Sequence, residues 1–345
     1  MLTRKVAVFG ASGYAGGELV RMLDGHPEME LVHLGAHSRI GARLSEVHPQ
    51  LSGGERTLGS NEPDDLPDGV EVVFMALPHG ASWEIGETLA RRGIAVVDLG
   101  SDYRLDTDVR YREAYGEGHP LPDRLGDWRY GLPELFDLTG ASLVASPGCY
   151  PTAVLLAIVP FIRAGLVDVS SPIVADCLSG VSGAGRSLKE NLLFGSVAEG
   201  AQAYGVTRHR HRPEIEMAIA QSTDHDPAVV FTPHLVPMQR GELATVTARL
   251  SDASLDESSA RAVLEDAYAG RPFVSVIDSP PQTRWAVSSN RAILSAFVDH
   301  HAGVVIAQAA IDNLVKGAAG QAIQAANIIG SLPEETGLPT SGWMP

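Results

Sequence analysis

The stretch Lys5-Val-Ala-Val-Phe-Gly-Ala-Ser-Gly-Tyr-Ala-Gly16 decides the fold of this chain. Its first five residues predict a buried strand, and the three glycines allow a tight turn from that strand into a helix. Amide groups exposed at the start of such a helix are suited to bind a pyrophosphate. The GxxGxxG spacing at the start of a βαβ pattern therefore predicts a dinucleotide-binding domain. A glycine turn with a purely structural role is the alternative.

Strand-like and helical segments alternate after this stretch. Predicted strands begin near residues 5, 30, 71, 94 and 142, and helices are expected after Gly13 and Ala81. This alternation is typical of a parallel sheet covered by helices on both faces, as in a doubly wound α/β domain.

The pattern changes after residue 149. An apolar helix over 153–162 precedes seven runs with strand character: PIVADCL, AVVFTP, LATVTARL, PFVSVI, RWAVSS, AILSAFV and VVIAQAA. They predict a second, α+β domain with a largely antiparallel sheet. One more Ala-rich helix, broken by Gly317 and Gly320, is expected over 313–329.

Length and composition limit the possible classes of function. The 345 residues suit two domains of about 150 residues each. A formal net charge of −16 argues against nucleic-acid and anionic-membrane partners. The apolar runs fall short of the ~20 residues that a membrane helix needs, and the first run is too short for a signal peptide. We therefore expect a cytoplasmic protein whose two cysteines are reduced.

The residues after the second predicted strand bear on the choice of cofactor. This position holds His37-Ser38-Arg39, where NAD-binding proteins often carry a carboxylate. A hydroxyl and a guanidinium group suit the 2′-phosphate of NADP, which a carboxylate would repel. The sequence therefore favours NADP(H), although a loop arginine is otherwise usually a solvated charge.

Cys149 is the candidate nucleophile. It lies in Ser146-Pro-Gly-Cys-Tyr-Pro-Thr152, between a predicted strand and an apolar helix. A helix N-terminus lowers the pKa of a thiol and favours the reactive thiolate. We expect this for Cys149, whereas Cys177, inside an apolar run, is interpreted as a core thiol.

Cations and imidazoles are concentrated in Arg208-His-Arg-His-Arg-Pro-Glu214. One of these histidines is a candidate acid/base, and the arginines could hold a phosphate or carboxylate. The alternative is a solvated charge run. The i, i+2 histidine pair without a third nearby ligand argues against a metal site. Arg104, after the fourth strand, is a candidate substrate anchor at the ligand-binding edge of the sheet.

These motifs together resemble the N-acetyl-gamma-glutamyl-phosphate reductases. The resemblance runs nearly end to end, and PGCYPT and HRHRPEI are its most specific strings. The other matching strings are GASGYAGGELVRML, HSR, SEVHPQL, ALPHG, DYRL, YGLPE, SGVSGAGR and DNLVKGAAGQAIQ.

The resemblance implies an NADP-binding Rossmann domain over residues 1–148, completed by residues 313–345. A central catalytic and oligomerisation domain would occupy residues 149–312. It further implies NADPH-dependent reductive dephosphorylation of N-acetyl-gamma-glutamyl phosphate to the semialdehyde, in arginine biosynthesis, by a homo-oligomer (a dimer or tetramer).

The same resemblance implies roles for individual residues. Cys149 would form a thioester and His211 would act as acid/base, with no metal. The implied substrate contacts are Arg104, His209 and Tyr204. The implied cofactor contacts are Gly10, Ser12, Gly13, Tyr14, Ala15, Gly16, Ser38, Arg39, Pro78, Ser182, Gly183, Asn313 and Lys316.

Three other functions stay open on the sequence. An aspartate-semialdehyde dehydrogenase shares the architecture and the cysteine mechanism, and another relative reduces a carrier-bound aminoadipyl phosphate. A regulator that senses NADP is the non-enzymatic alternative. The presence of both Cys149 and His211 argues against the regulator, because a sensor needs neither group.

Overall fold

The computed structural model describes residues 3–252 and 254–343. The predicted domain ranges also include residues 1, 2, 253, 344 and 345, which lie outside the described residues. The first part of the chain contains, in order, β1 (Arg4–Phe9), α1 (Tyr14–Leu23), β2 (Met29–Leu34), α2 (Leu44–Val47), β3 (Val70–Met75), α3 (Trp83–Arg91), β4 (Ala95–Asp98), α4 (Asp108–Tyr115), β5 (Arg129–Tyr130) and β6 (Leu143–Ala145).

The first six strands form a parallel sheet in the order β2-β1-β3-β4-β6-β5. Val6 and Val8 of β1 pack towards α1, while Ala7 and Phe9 pack towards α3 on the opposite face. A sheet buried on both faces needs nearly continuous apolar strands, as observed in VAVF and VVFM. The predicted doubly wound parallel sheet is therefore confirmed.

The second part of the chain begins with a helix and continues mainly as strands. Its elements are α5 (Cys149–Arg163), β7 (Ile173–Ser179), α6 (Phe194–Val197), β8 (Gln202–Ala203), α7 (His211–Thr223), β9 (Val229–Leu235), β10 (Glu242–Arg249), α8 (Glu257–Ala267), β11 (Val274–Val276), α9 (Thr283–Ala286), β12 (Ala292–Asp299) and β13 (Val304–Ile311).

The second sheet has seven strands in the order β11-β12-β13-β10-β7-β9-β8. Four of its six pairings are antiparallel, which confirms the predicted α+β domain. Helices α5, α7 and α8 cover one face. Helix α5 is apolar all round and buried from Tyr150 to Ile162, because the sheet and two helices enclose it.

One predicted strand is wrong. RWAVSS forms the short helix α9 and the turn after it. Ser288 has a φ of 65°, which an extended strand cannot accommodate, and its N–H donates to the Asp312 carboxylate instead of to a neighbouring strand. The sequence also gave no indication of the two-residue strands β5 and β8.

The end of the chain returns to the first sheet. A π-helical turn (Val315–Ala319) leads into α10 (Gly320–Ile329), and Ile323 shares a core with Val6 of β1 and Leu19 of α1. The glycines do not break this helix. A Cβ on Gly317 would lie 2.6 Å from the Cβ of Cys149, so the missing side chain allows close packing against α5. The residue limits of the two domains stay a prediction.

No helix within residues 3–252 and 254–343 is long and apolar enough to cross a membrane.

Candidate active site

A cleft of about 280 Å³ lies where the two sheets meet, at the carboxyl ends of the parallel strands. Both domains contribute to its walls. The predicted site residues that line it are Gly13, Tyr14, Ala15, Pro78, Arg104, Cys149, Ser182, Gly183, His211 and Asn313. Most of the predicted constellation is thus brought together at the edge where open α/β sheets bind ligands.

The glycine loop has the geometry of an anion cradle. Gly10 has a φ of 78°, and a Cβ there would lie 2.3 Å from the carbonyl oxygen of Ala76. A Cβ on Gly16 would lie 2.2 Å from the carbonyl oxygen of Gly10. Gly13 precedes α1 and supplies no side-chain cap, so the first amide groups of the helix face the cleft without a side-chain acceptor. These features fit a dinucleotide pyrophosphate.

Six predicted cofactor residues do not line the cleft: Gly10, Ser12, Gly16, Ser38, Arg39 and Lys316. Ser38 and Arg39 are exposed in the loop after β2. The carbonyl oxygen of Ser12 accepts a hydrogen bond of 3.1 Å from Arg186, which also donates to the carbonyl oxygen of Val47 at 2.9 Å. A guanidinium group from the second domain therefore lies across the glycine loop of the first.

The Asn313 side chain fixes the loop on the other side of the cleft. Its Nδ2 donates to Ser182 Oγ at 3.0 Å, and its Oδ1 accepts from the Gly241 amide at 2.8 Å. Lys316 has a different environment. It is fully buried, and its ammonium group contacts Glu134 at 2.5 Å and Gln324 at 2.8 Å. The prediction of a cofactor contact for Lys316 is wrong, because the π-helical turn directs its side chain into the protein interior.

Cys149 is the first residue of α5 and lies half-buried on the cleft wall. This position confirms the predicted helix N-terminus. The expected lowering of the thiol pKa is wrong: burial, together with the carboxylate of Glu242, raises the pKa of Cys149 well above its usual value. The backbone amide of Tyr150 and the charge of Arg104 oppose this effect and only partly offset it.

His211, Arg104 and Cys149 converge on Gly148. A Cβ on this glycine would lie 2.5 Å from His211 Nε2 and 3.0 Å from Arg104 Nη1. The imidazole and the guanidinium group thus pack directly on the residue that precedes the thiol. Burial and the nearby His209, Arg210 and Arg104 lower the pKa of His211 well below its usual value, so the ring is neutral at neutral pH.

Glu214 organises this convergence, although no role was predicted for it. It is 1% exposed and accepts from the Gly148 amide at 2.8 Å and from Tyr130 Oη at 2.9 Å. Its second oxygen is 3.5 Å from Arg104 Nη1. One turn separates Glu214 from His211, so both lie on the same face of α7; this spacing was the available signal.

His209 and Tyr204 lie behind His211. The two imidazoles are 4.7 Å apart, and Tyr204 donates a hydrogen bond of 3.0 Å to Tyr150. Burial and the charge of Arg210 lower the pKa of His209 to about 4. The cleft wall includes His211 but neither His209 nor Tyr204. Their predicted contacts with substrate stay untested.

Comparison with known proteins defines the class first. Residues 5–139 match the family described as the NAD binding domain of semialdehyde dehydrogenase, and residues 149–313 match its dimerisation domain. Aspartate semialdehyde dehydrogenase II from Vibrio cholerae, complexed with ASA, shares the fold with a TM-score of 0.71 at 17% identity. That similarity covers 96% of this chain and 99% of the other. The protein therefore has the two domains and the fold of the semialdehyde dehydrogenase family.

More similar relatives narrow the class. The N-acetyl-gamma-glutamyl-phosphate reductase of Pelotomaculum thermopropionicum is 44% identical over 346 residues, which is 99% of either chain. The enzyme of the same name from Heliobacterium modesticaldum is 44% identical over 350 residues, with the same coverage. The chain belongs to the N-acetyl-gamma-glutamyl-phosphate reductase family.

Proposed function

We propose that this protein reduces N-acetyl-gamma-glutamyl phosphate to N-acetyl-glutamate semialdehyde and phosphate, with NADPH as the reductant. The observation that carries the proposal is the convergence of Cys149, His211 and Arg104 on Gly148, in a cleft that also contains the glycine loop. The full-length relatives of this name favour the glutamyl substrate over aspartate semialdehyde.

The first chemical step is attack by Cys149 sulfur on the acyl carbon. An S–C bond forms, the C–O bond to the phosphoryl group breaks, and phosphate leaves with the bonding electron pair. Arg104 is paired with the Glu214 carboxylate and packs on Gly148, the residue before Cys149, and its charge can bind the anionic substrate. The product of this step is a thioester on Cys149.

The second step requires a hydride donor and control of one proton. Gly13, Tyr14, Ala15, Ser182 and Asn313 would hold NADPH, which supplies the hydride that reduces the thioester when bound. Hydride addition leaves an oxyanion, which His211 can protonate with a proton taken up from solution to give the thiohemiacetal. The neutral ring can then accept the same proton back as the C–S bond breaks and the carbonyl re-forms. The aldehyde then leaves. Ser38 and Arg39 would provide the preference for NADPH over NADH.

The protein would act as a dimer through the open face of its second sheet. The face opposite α5, α7 and α8 carries exposed Leu178 and Val230, with Ile306 half-buried nearby. This face lies within the match to a dimerisation domain, which favours a second copy as its occupant. Leu178→Asp should shift the mass measured by light scattering from dimer to monomer, and an unchanged mass would contradict this interface.

We place the enzyme in the cytoplasm. Cys149 and Cys177 are both free in the structure. A nucleophilic thiol has to stay reduced to act, and the cytoplasm provides those conditions.

The decisive assay follows NADPH absorbance in the reverse direction, with N-acetyl-glutamate semialdehyde, phosphate and NADP⁺. Phosphate-dependent NADPH formation that disappears in Cys149→Ser, but persists in the matched Cys177→Ser variant, is the expected result. Turnover only with aspartate semialdehyde would contradict the substrate. Folded protein that binds NADPH but turns over neither aldehyde would favour the carrier-linked reductase first and the sensor second.

A further inference from the structure

A buried carboxylate faces the nucleophile. Glu242, the first residue of β10, is 0% exposed, and its backbone is held between Ser179 of β7 and Ile311 of β13. Within the described part of the chain, neither of its carboxylate oxygens has a hydrogen-bond partner of normal geometry. Glu242 pairs with Ile311, and a Cβ on Gly317 would lie 3.3 Å from Ile311 Cδ1 and 2.6 Å from Cys149 Cβ. The thiol of Cys149 therefore lies beside the carboxylate and is its polar neighbour. Burying a carboxylate without a cation is costly, so this side chain calls for an explanation.

We propose that Glu242 is a catalytic base that takes the proton from the Cys149 thiol during the acylation proposed above. The inference rests on that proposed function and adds a residue to its first step. The S–H bond breaks as the proton forms an O–H bond on the carboxylate, and the electron pair left on sulfur forms the bond to the acyl carbon. When the C–S bond breaks at the end of the cycle, Glu242 returns this proton to sulfur. No oxidant or reductant is needed for either transfer.

The division of labour between Glu242 and His211 follows from their positions. His211 packs on Gly148 and lines the cleft where the substrate oxygen would lie, so it can exchange a proton with that oxygen. Glu242 does not line the cleft and contacts the thiol from within the second domain. Two separate proton acceptors suit a reaction in which sulfur and oxygen exchange protons at different stages.

The surroundings of Glu242 set the pH at which it can act. Besides Cys149, the ionisable groups that face it are Tyr150, Cys177, Tyr204 and Asp312. Burial and the charge of Asp312 raise the pKa of Glu242 to about 8, although the thiol opposes them. Asp312 is itself paired with Arg240 at 2.9 Å. Glu242 therefore loses its own proton, and becomes able to accept another, as the pH rises through about 8.

The test is the pH profile of thiol alkylation, which needs neither substrate nor cofactor. Iodoacetamide is applied from pH 6 to 10 to the full chain carrying Cys177→Ser, so that only Cys149 reacts. With Glu242 present, the rate should rise to about pH 8 and then level off. In Glu242→Gln, which keeps the size of the side chain, the rate should rise tenfold per pH unit through pH 8 to 9 without levelling.

Turnover and a conservative variant complete the experiment. At pH 8.5, Glu242→Gln should lower the acylation rate by about 100-fold, the contribution typical of a positioned base. Glu242→Asp should keep the levelling of the profile at a reduced rate. The proposal would be overturned if Glu242→Gln kept the midpoint of the parent's alkylation profile and a turnover within threefold of the parent's. The parent chain could also prove inactive on the glutamyl substrate while its alkylation rate still levels off only when Glu242 is present. That result would support this inference and contradict the proposed function.

Discussion

Gly148→Ala probes how closely the site is packed. The glycine has φ −66° and ψ 158°, a conformation open to alanine, so the substitution introduces no backbone strain. The added Cβ would lie 2.5 Å from His211 Nε2 and 2.7 Å from His211 Cε1. Since carbon contacts are normally about 3.5–4.0 Å, the imidazole has to retreat by about 1 Å.

This displacement should be visible mainly in catalysis. Misplacing a catalytic group by about 1 Å can cost about 100-fold in rate, and overpacking costs about 1–3 kcal/mol of stability. We therefore expect kcat/KM of Gly148→Ala to fall about 100-fold in the reverse assay, while the protein remains folded in a thermal melt.

Gly195→Ala is the matched control. A Cβ there would meet nothing within 4 Å, and the glycine lies in the short helix α6. Its activity should equal that of the parent. Gly148→Ala activity within twofold of the parent would refute the argument that His211 and Arg104 are held against this glycine.

Three further substitutions test other parts of the structure. Lys316→Met leaves the Glu134 carboxylate without its buried cation and should cost about 3–5 kcal/mol in denaturant unfolding; a loss below about 1 kcal/mol would contradict the buried pair. Arg39→Ala should raise the KM for NADPH about 10- to 100-fold while leaving the KM for NADH unchanged, and equal effects on both would rule out a contact with the 2′-phosphate. Glu214→Gln removes the charge that holds Arg104 and should lower kcat/KM at least about tenfold at any pH between 6 and 9. Parental kinetics in that variant would show that the ion pair does not position Arg104.

The sequence alone predicted an element correctly where the residues that form the pattern are neighbours in the chain of the element they determine. The strand, glycine turn and helix of residues 4–23 form where predicted, since Gly16 is required by its close approach to Gly10 in the same unit and Gly10 by its own φ of 78°. Cys149 begins a helix because Gly148 and an apolar run flank it, and all of these are neighbours in sequence. His211 begins a helix for similar reasons, since Pro213 lies in the first turn of that helix.

Only the tertiary structure decided what surrounds those residues. Ninety-three positions separate Glu242 from Cys149, and the register of β10 between β7 and β13 brings them into contact. A glutamate at the start of a strand carries no local signal of that contact. Burial of the thiol, together with this contact, reverses the expected shift of its pKa. A helix N-terminus is readable from sequence, whereas burial and an opposing carboxylate are not, because both depend on how distant segments pack.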